Sequence, residues 1–166
     1  MVLKGNDMKL ILLNEGLIIK GRVRLILQDV KTGIIDVSEW KNNLITTVGK
    51  QMVLNRLGNR QIVSNEGMIT YGALGTGTNV PATTDTTLQT EVARRLVSVV
   101  SLAGTTLTIR CFFPTGDANG TNREFGWFGE DADATPDSGT LFNRIAINKT
   151  KTVDKTLTVE QEISLT

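Results

Sequence analysis

Histidine is absent from this 166-residue chain, and cysteine occurs once. Without histidine the chain lacks the commonest general base and the usual transition-metal ligand, and no Ser-His-Asp or Cys-His arrangement can form. The single cysteine, Cys111, excludes an intramolecular disulfide and, with histidine missing, a zinc site. It shares alternate positions with Leu107, Ile109 and Phe113, so we expect a buried small apolar residue and not a reactive thiol.

Charge of one sign and aromatic residues are also scarce. The 18 basic and 17 acidic residues leave a formal charge of +1, and aromatic residues make up 5% of the chain. A nucleic-acid-binding protein usually has a basic face or aromatic stacking platforms, so we expect no nucleic-acid partner. Lys149, Lys151 and Lys155 interleave with threonines, and we expect them to protect an exposed strand edge from unwanted pairing.

A long hydrophobic run is missing too. The apolar stretch at residues 8–13 is too short for a membrane span or a signal peptide, and no small-residue cleavage site follows it. We therefore expect no membrane association and synthesis in a cytoplasm.

What the chain has is abundant threonine and period-two alternation, which is typical of strands. Short alternating segments with turns between them, and no βαβ rhythm, predict an all-β fold: an antiparallel β-sandwich of about seven to nine strands with one short α-helix and an N-terminal arm. The predicted strands are residues 22–29, 34–45, 68–74, 96–102, 106–113, 123–128, 140–148 and 155–166.

The helix is predicted to begin after Thr46 or Thr47 as the N-cap and to end at Leu57, before Gly58. Its apolar stripe would comprise Val48, Met52, Val53 and Leu57. A short helical turn is expected at residues 88–93.

Residues 17–166 are predicted to form a single β-sandwich domain, and residues 1–16 an N-terminal arm or edge strand. Leu10, Ile11, Leu12 and Leu13 make the arm apolar, which makes them interface candidates. The arm could pair with the sheet of a neighbouring subunit or dock on its own chain.

One glycine-containing segment and one group of acidic residues can be compared with known nucleotide, catalytic and metal sites. Gly75 and Gly77 lack the third glycine of a dinucleotide-binding turn, and Thr78 stands where a P-loop has lysine, so we expect no nucleotide site. The acidic residues Glu124, Glu130, Asp131, Asp133 and Asp137 are expected to be solvated loop acids plus one ion-paired strand glutamate. A loose structural calcium site there stays as an alternative, and neither a catalytic residue nor a cofactor is predicted.

Arginines 94, 123 and 144 lie near apolar runs, where an unpaired charge is costly. Arg94, Arg123, Glu124 and Arg144 are therefore candidates for structural ion pairs, at least one of which should involve Glu91 or Glu124.

The aromatic block Phe125, Trp127 and Phe128 is a candidate protein interface, because interface hot spots favour large aromatic residues. For Trp127 a core position, an interface and a ligand contact stay open. Trp40 is expected in the core or at an interface.

Four ordered segments carry a resemblance. They read Asn-Leu-Ile-Thr-Thr-Val-Gly-Lys at residues 43–50, Ala-Leu-Gly-Thr-Gly-Thr at 73–78 followed by Pro-Ala-Thr-Thr-Asp-Thr-Thr-Leu at 81–88, Asp-Ala-Asn-Gly-Thr-Asn-Arg-Glu-Phe-Gly-Trp-Phe at 117–128, and Gly-Thr-Leu-Phe-Asn-Arg at 139–144. With the threonine-rich final strand, this order resembles small β-rich virion structural proteins of tailed bacteriophages.

The resemblance implies a non-enzymatic structural component of the particle, located in the virion after synthesis in the host bacterium. It favours the tail, collar, baseplate or fibre-attachment region, with a capsid decoration protein as the alternative. Its partners would be other virion proteins and further copies of itself. From a different class, a carbohydrate-binding module for host attachment is the second hypothesis, and it requires an exposed Trp127 or Trp40.

Overall fold

The computed structural model describes Gly16, residues 18–58 and residues 67–166. Within these residues, ten strands form one antiparallel sheet with a single helix beside it. The elements are β1 (Ile19–Asp29), β2 (Ile35–Val37), β3 (Lys41–Asn42), β4 (Leu44–Ile45), α1 (Thr47–Leu57), β5 (Ile69–Gly75), β6 (Glu91–Ala103), β7 (Thr106–Phe113), β8 (Gly120–Gly129), β9 (Thr140–Lys151) and β10 (Lys155–Leu165). The predicted antiparallel all-β fold with one short helix is confirmed.

The sheet curls so that its two halves face each other. Its strand order is β2-β1-β10-β7-β6-β5-β8-β9-β4, with β3 also pairing β1. Strand β6 joins the halves, because its first residues pair with β5 and its later residues with β7. Apolar side chains of both halves form one shared core. A buried hydrogen bond also joins the halves, since Asn143 Nδ2 of β9 donates to Gln161 Oε1 of β10 at 2.9 Å. One continuous sheet thus supplies both layers of the sandwich.

Strands β1 and β10 show how the alternation builds this core. Leu25 lies opposite Val159 and Leu27 opposite Leu157, and all four are buried. Directly opposite residues in an antiparallel pair share a face, so these side chains point together into the core while Arg24 and Glu160 lie on the outer face. Burial of such apolar area contributes roughly 25 cal/mol per Å².

The helix begins where the sequence predicts. Thr46 is its N-cap, and the Thr46 hydroxyl accepts a hydrogen bond from the Gly49 backbone N–H at 2.9 Å. Met52 is buried against the core, whereas Leu57 is 70% exposed. The prediction that Leu57 belongs to the buried stripe is therefore wrong, because the helix packs on β9 chiefly through its first two turns.

Two segments differ from the predicted strands and turns. The predicted strand at residues 34–45 is divided: β2 and β3 pair with β1, and β4 crosses to pair with β9 in the other half. The helical turn predicted at residues 88–93 is absent from the structure there, since Leu88 is a buried loop residue and β6 begins at Glu91. In both cases long-range pairing overrides the local pattern.

A second, smaller cluster lies on the outer face of β5, β8 and β9. Ala73, Leu88, Phe128 and Leu141 form it, with Ala132 packed against its edge. Leu88 belongs to the loop before β6 and Ala132 to the loop after β8, so two loops cover this face of the sheet. The strand between them, β8, is consequently buried on both faces.

Candidate functional site

The aromatic block predicted as an interface lies in the interior. Phe125, Trp127 and Phe128 are all 0% exposed. Phe125 and Trp127 face the core in an edge-to-face contact with ring centroids 5.0 Å apart. Phe128 lies on the opposite face, with the Arg94 guanidinium carbon 4.3 Å from its ring centroid. The prediction that these three residues form an exposed contact is wrong, because neighbouring strands and loops cover both faces of β8. Of the roles left open for Trp127, the structure selects the core.

The other interface candidates, Leu10, Ile11, Leu12 and Leu13, lie outside the described residues. Their proposed role in pairing with a subunit stays a prediction.

Glu124 and Arg144 form a buried ion pair between β8 and β9. Arg144 Nη2 lies 2.7 Å from Glu124 Oε2, and the two side chains are 3% and 1% exposed. Glu124 also accepts hydrogen bonds from the backbone N–H groups of Gly77, Gln89 and Thr90 at 2.8–3.0 Å. With these donors on its two oxygens, the Glu124 carboxylate has its acceptor capacity taken up by its own chain.

The Glu124–Arg144 pair also holds the loop between β5 and β6 against the sheet. Arg144 Nη1 donates to Asp85 Oδ2 at 2.8 Å, and that oxygen also accepts from the Ala82 N–H. The Gln89 side-chain oxygen accepts from the N–H groups of Thr78 and Asn79 at 2.7 and 2.9 Å. The loop between β5 and β6, which contains Gly77, therefore donates its backbone N–H groups to side chains of its own chain.

Gly77 is glycine for a steric reason. A Cβ at this position would overlap the Glu124 carboxylate and the Gln89 side chain. Gly75 is similar, since its Cβ would lie 2.6 Å from Glu124 Oε1. Both glycines allow the backbone to approach the buried Glu124 carboxylate closely. In a dinucleotide-binding turn, glycines allow the same close approach to a pyrophosphate.

Arg94 makes the second predicted ion pair. Its Nε lies 2.8 Å from Glu91 Oε1, with both side chains nearly buried, and its Nη1 donates to the Ser138 carbonyl and hydroxyl oxygens. The prediction that an arginine pairs with Glu91 or Glu124 is confirmed twice. Arg123 differs: it is exposed, and within the described residues it has no ion-pair partner.

Of the remaining acids, Glu130 and Asp133 accept local hydrogen bonds. Glu130 accepts a hydrogen bond from the Thr140 hydroxyl. The Thr135 backbone N–H lowers the pKa of Asp133, whereas partial burial and then the nearby Glu91 carboxylate raise the pKa of Asp137. Across residues 18–58 and 67–166, no three histidine, cysteine or acidic side chains are placed to hold a metal ion. The geometry gives the calcium alternative no support.

Two further side chains with reactive chemistry are buried. Cys111 is 0% exposed, as predicted, and burial raises the pKa of its thiol well above the usual value. Lys151 is 1% exposed, and its amine donates to the Thr115 carbonyl oxygen and to Asn119 Oδ1, each at 3.0 Å. Burial lowers the pKa of Lys151. The prediction that Lys151 protects an exposed strand edge is therefore wrong.

The second half of β6 is an exposed part of the sheet. Strand β5 pairs with β6 between Glu91 and Leu96, so residues 97–103 have a partner only on the β7 side among the described residues. We call residues 97–103 the open edge. Large apolar residues along it are exposed: Val100 by 65% and Leu102 by 72%. Leu96 and Phe112, on the outer face nearby, are 61% and 45% exposed.

An apolar groove of about 390 Å³ lies beside the open edge. Its walls are the β6–β7 hairpin on one side and helix α1 with the start of β5 on the other. The side chains that line it are almost all apolar: Ile19, Met52, Val53, Ile69, Leu102, Leu107, Phe142, Ile163 and Leu165, with Gly67, Gly104 and Thr105 completing the rim. Val100 and Leu102 lie opposite Ile109 and Leu107, so they face the groove side of the sheet.

The interface candidates predicted from the sequence do not include this region, although residues 96–102 carry a pattern that marks it. Residues 96–102 read Leu-Val-Ser-Val-Val-Ser-Leu, which is apolar on both faces of a strand. Such a strand is usually buried on both sides. Among the described residues, nothing covers Leu96, Val100 or Leu102, which are 61%, 65% and 72% exposed.

No family model, no curated protein and no solved structure matches this chain. None of the helical residues that the structure describes forms a segment long and apolar enough to span a membrane.

Proposed function

We propose that this chain is a non-enzymatic structural component of a tailed-phage virion. It would assemble through subunit contacts in the tail, collar, baseplate or fibre-attachment region. The proposal joins the resemblance of its ordered segments to small virion proteins with the surface of the folded chain.

The observation that carries the proposal is the exposed apolar surface of β6 and its neighbour β7. Val100 and Leu102 face an apolar groove, and Leu96 and Phe112 are exposed on the opposite face of the same strand pair. Large exposed apolar patches are rare on monomeric soluble proteins and typically mark contact sites with other proteins. A subunit with exposed apolar residues on both faces of one strand pair is suited to repeated assembly.

The polar interior supports a structural role. Glu124, the acid best placed in a strand to act in hydrolysis, accepts hydrogen bonds from three backbone N–H groups and pairs with Arg144. These contacts fasten the long loop to the sheet. Glu91 and Arg94 connect the loop that follows β8 in the same way. These hydrogen bonds and ion pairs hold both loops against the sheet.

Two measurements test the proposal. Light-scattering mass of the purified chain over a range of concentrations should show a defined oligomer, and Val100→Glu should shift it toward monomer. Val153→Glu is the matched control, because Val153 is 72% exposed, against 65% for Val100, but lies in the turn before β10. Antibodies against the chain should label particles of the phage that encodes it. A monomer at every concentration together with unlabelled particles would overturn the proposal.

A capsid decoration protein is the alternative within the same class, and the position of the antibody label on head or tail distinguishes the two. The carbohydrate-binding alternative now depends on Trp40, since Trp127 is buried. Trp40 is partly exposed beside a concavity, but the guanidinium carbons of Arg22 and Arg24 each lie 4.6 Å from its ring centroid. Cations thus already occupy its π surface, which disfavours sugar stacking. A glycan screen with Trp40→Ala as control tests this alternative.

A further inference from the structure

We infer that the apolar groove and the open edge together receive the N-terminal segment of a second copy of this chain, which adds a strand to β6. The occupant is residues 8–13, Met-Lys-Leu-Ile-Leu-Leu. This inference rests on the proposed assembly and names the contact that forms it.

The backbone of the open edge is suited to accept a strand. Residues 97–103 pair with β7 on one side, and on the other side β5 stops pairing at Leu96. In an antiparallel strand alternate residues direct both backbone groups to the same side, so about three residues of this edge present N–H and C=O groups that have no partner among the described residues. Added strands bind such edges through main-chain hydrogen bonds, and side-chain pockets give specificity.

The side chains of the segment match the groove. Successive strand residues point to opposite faces, so Leu10 and Leu12 would lie on one face and Ile11 and Leu13 on the other. One of these pairs would fill the groove between Leu102, Val53 and Ile69, and the other would lie beside the outer apolar residues Leu96 and Phe112. A segment that is apolar on both faces needs cover on both faces.

The direction of the chain favours a second copy as the source. Ile18 exchanges backbone hydrogen bonds with Thr166 at 2.9 and 3.0 Å, and the Leu165 N–H donates to the Thr105 carbonyl at 3.1 Å. The start of β1, the end of β10 and the β6–β7 turn therefore meet at one end of the sandwich. The described part of the chain therefore starts at the end of the sandwich where the open edge finishes, and β1 leads away from that end.

Reaching the open edge of its own subunit would require this chain to reverse direction within residues 14–17. Those four residues span at most about 14 Å when extended. Pairing with a neighbour needs no reversal, because the neighbour's groove can lie beyond the end from which the segment leaves. The resulting interface is an exchange of strands between copies.

Disulfide trapping tests the inference directly. One copy carries Leu102→Cys, and a second copy with a larger tag carries cysteine in place of Leu10, Ile11, Leu12 or Leu13 in turn. Native Cys111 is fully buried and does not compete. After mixing and mild oxidation, we expect a disulfide between the two tagged species for alternate positions of the segment. Cysteine at Val153 is the control that should give none.

The failures of the two proposals are distinguishable. Cross-links that form only within one chain carrying both cysteines would overturn exchange in favour of self-docking. An oligomer that is unchanged by removal of residues 1–16 would overturn the inference while leaving assembly intact. A synthetic peptide of residues 1–14 should bind the truncated protein, and Leu102→Glu should weaken that binding about tenfold or more. If the chain neither oligomerises nor cross-links, both the proposed assembly and the strand exchange are wrong.

Discussion

Glu124 on β8 and Arg144 on β9 form a buried pair whose two members are 1% and 3% exposed, with Arg144 Nη2 2.7 Å from Glu124 Oε2. The pair does more than neutralise two charges. Through Gly77, Gln89, Thr90 and Asp85 it holds the loop that covers the outer face of the sheet.

Removing one partner of this pair should be strongly destabilising. Arg144→Met leaves the Glu124 carboxylate buried without its cation, and we expect a loss of about 3–5 kcal/mol in the free energy of unfolding. Urea denaturation followed by tryptophan fluorescence measures it. Asp36→Asn is the control, because Asp36 pairs with Lys149 but is 62% exposed, and such pairs contribute about 0–1 kcal/mol. Equal losses in the two variants would contradict the central role of the buried pair.

Gly77→Ala should disturb the same loop for a steric reason. The added methyl would overlap Glu124 and Gln89, and we expect destabilisation of roughly 1–3 kcal/mol, as for overpacking elsewhere. Gly116→Ala is the matched control, since its Cβ would meet nothing within 4 Å. Thermal unfolding of both variants compares them. A stable Gly77→Ala protein would show that the loop does not need this close approach.

Phe125→Ala separates a core role from an interface role. The side chain is 0% exposed and packs edge-to-face on Trp127, so truncation should cost about 3–5 kcal/mol of stability. Under conditions where the variant stays folded, the oligomer should have the same mass as the wild-type protein. Leu96→Glu, at an exposed position, should show the reverse: little loss of stability and weaker assembly. Light scattering measures the mass of the oligomer for each variant, and urea denaturation measures its stability.

Cys111 should be inert until the protein unfolds. Its thiol is fully buried, and burial raises its pKa well above the usual value, so a thiol reagent at pH 8 should react slowly with native protein and rapidly in urea. Fast labelling of the native protein would contradict the buried position.

The raised pKa also predicts a direction for the pH dependence of stability. The unfolded thiol ionises near pH 8.5 while the folded thiol stays protonated, so the contribution of Cys111 is complete below about pH 8.5 and is lost as the pH rises further. Between pH 8 and pH 10 the wild-type protein should therefore lose more stability than Cys111→Ala. Urea midpoints for the two proteins at each pH test this difference.

Much of the fold follows from local pattern. The alternation of Val159 and Leu157 with outward acids defines the two faces of β10, and Thr46 with Gly58 marks the ends of the helix. These features depend on residues close in sequence, where side-chain period and capping act directly. The pairing of arginines with Glu91 or Glu124 was also predictable, since buried charges need partners.

Only the tertiary structure decides which loops and strands cover each face of the sheet. Alternation separates Phe125 and Trp127 from Phe128, but it does not say that a loop anchored on Glu124 and Arg144 buries the second face. The same limit explains why residues 96–102, apolar on both faces, are exposed in the folded chain. The sequence by itself determined most of the strands, the helix and the list of charges that need partners, because these follow from local period and chemistry. The curled order of strands, the covering loops and the open edge of β6 follow from contacts between residues far apart in the chain, which no local pattern encodes.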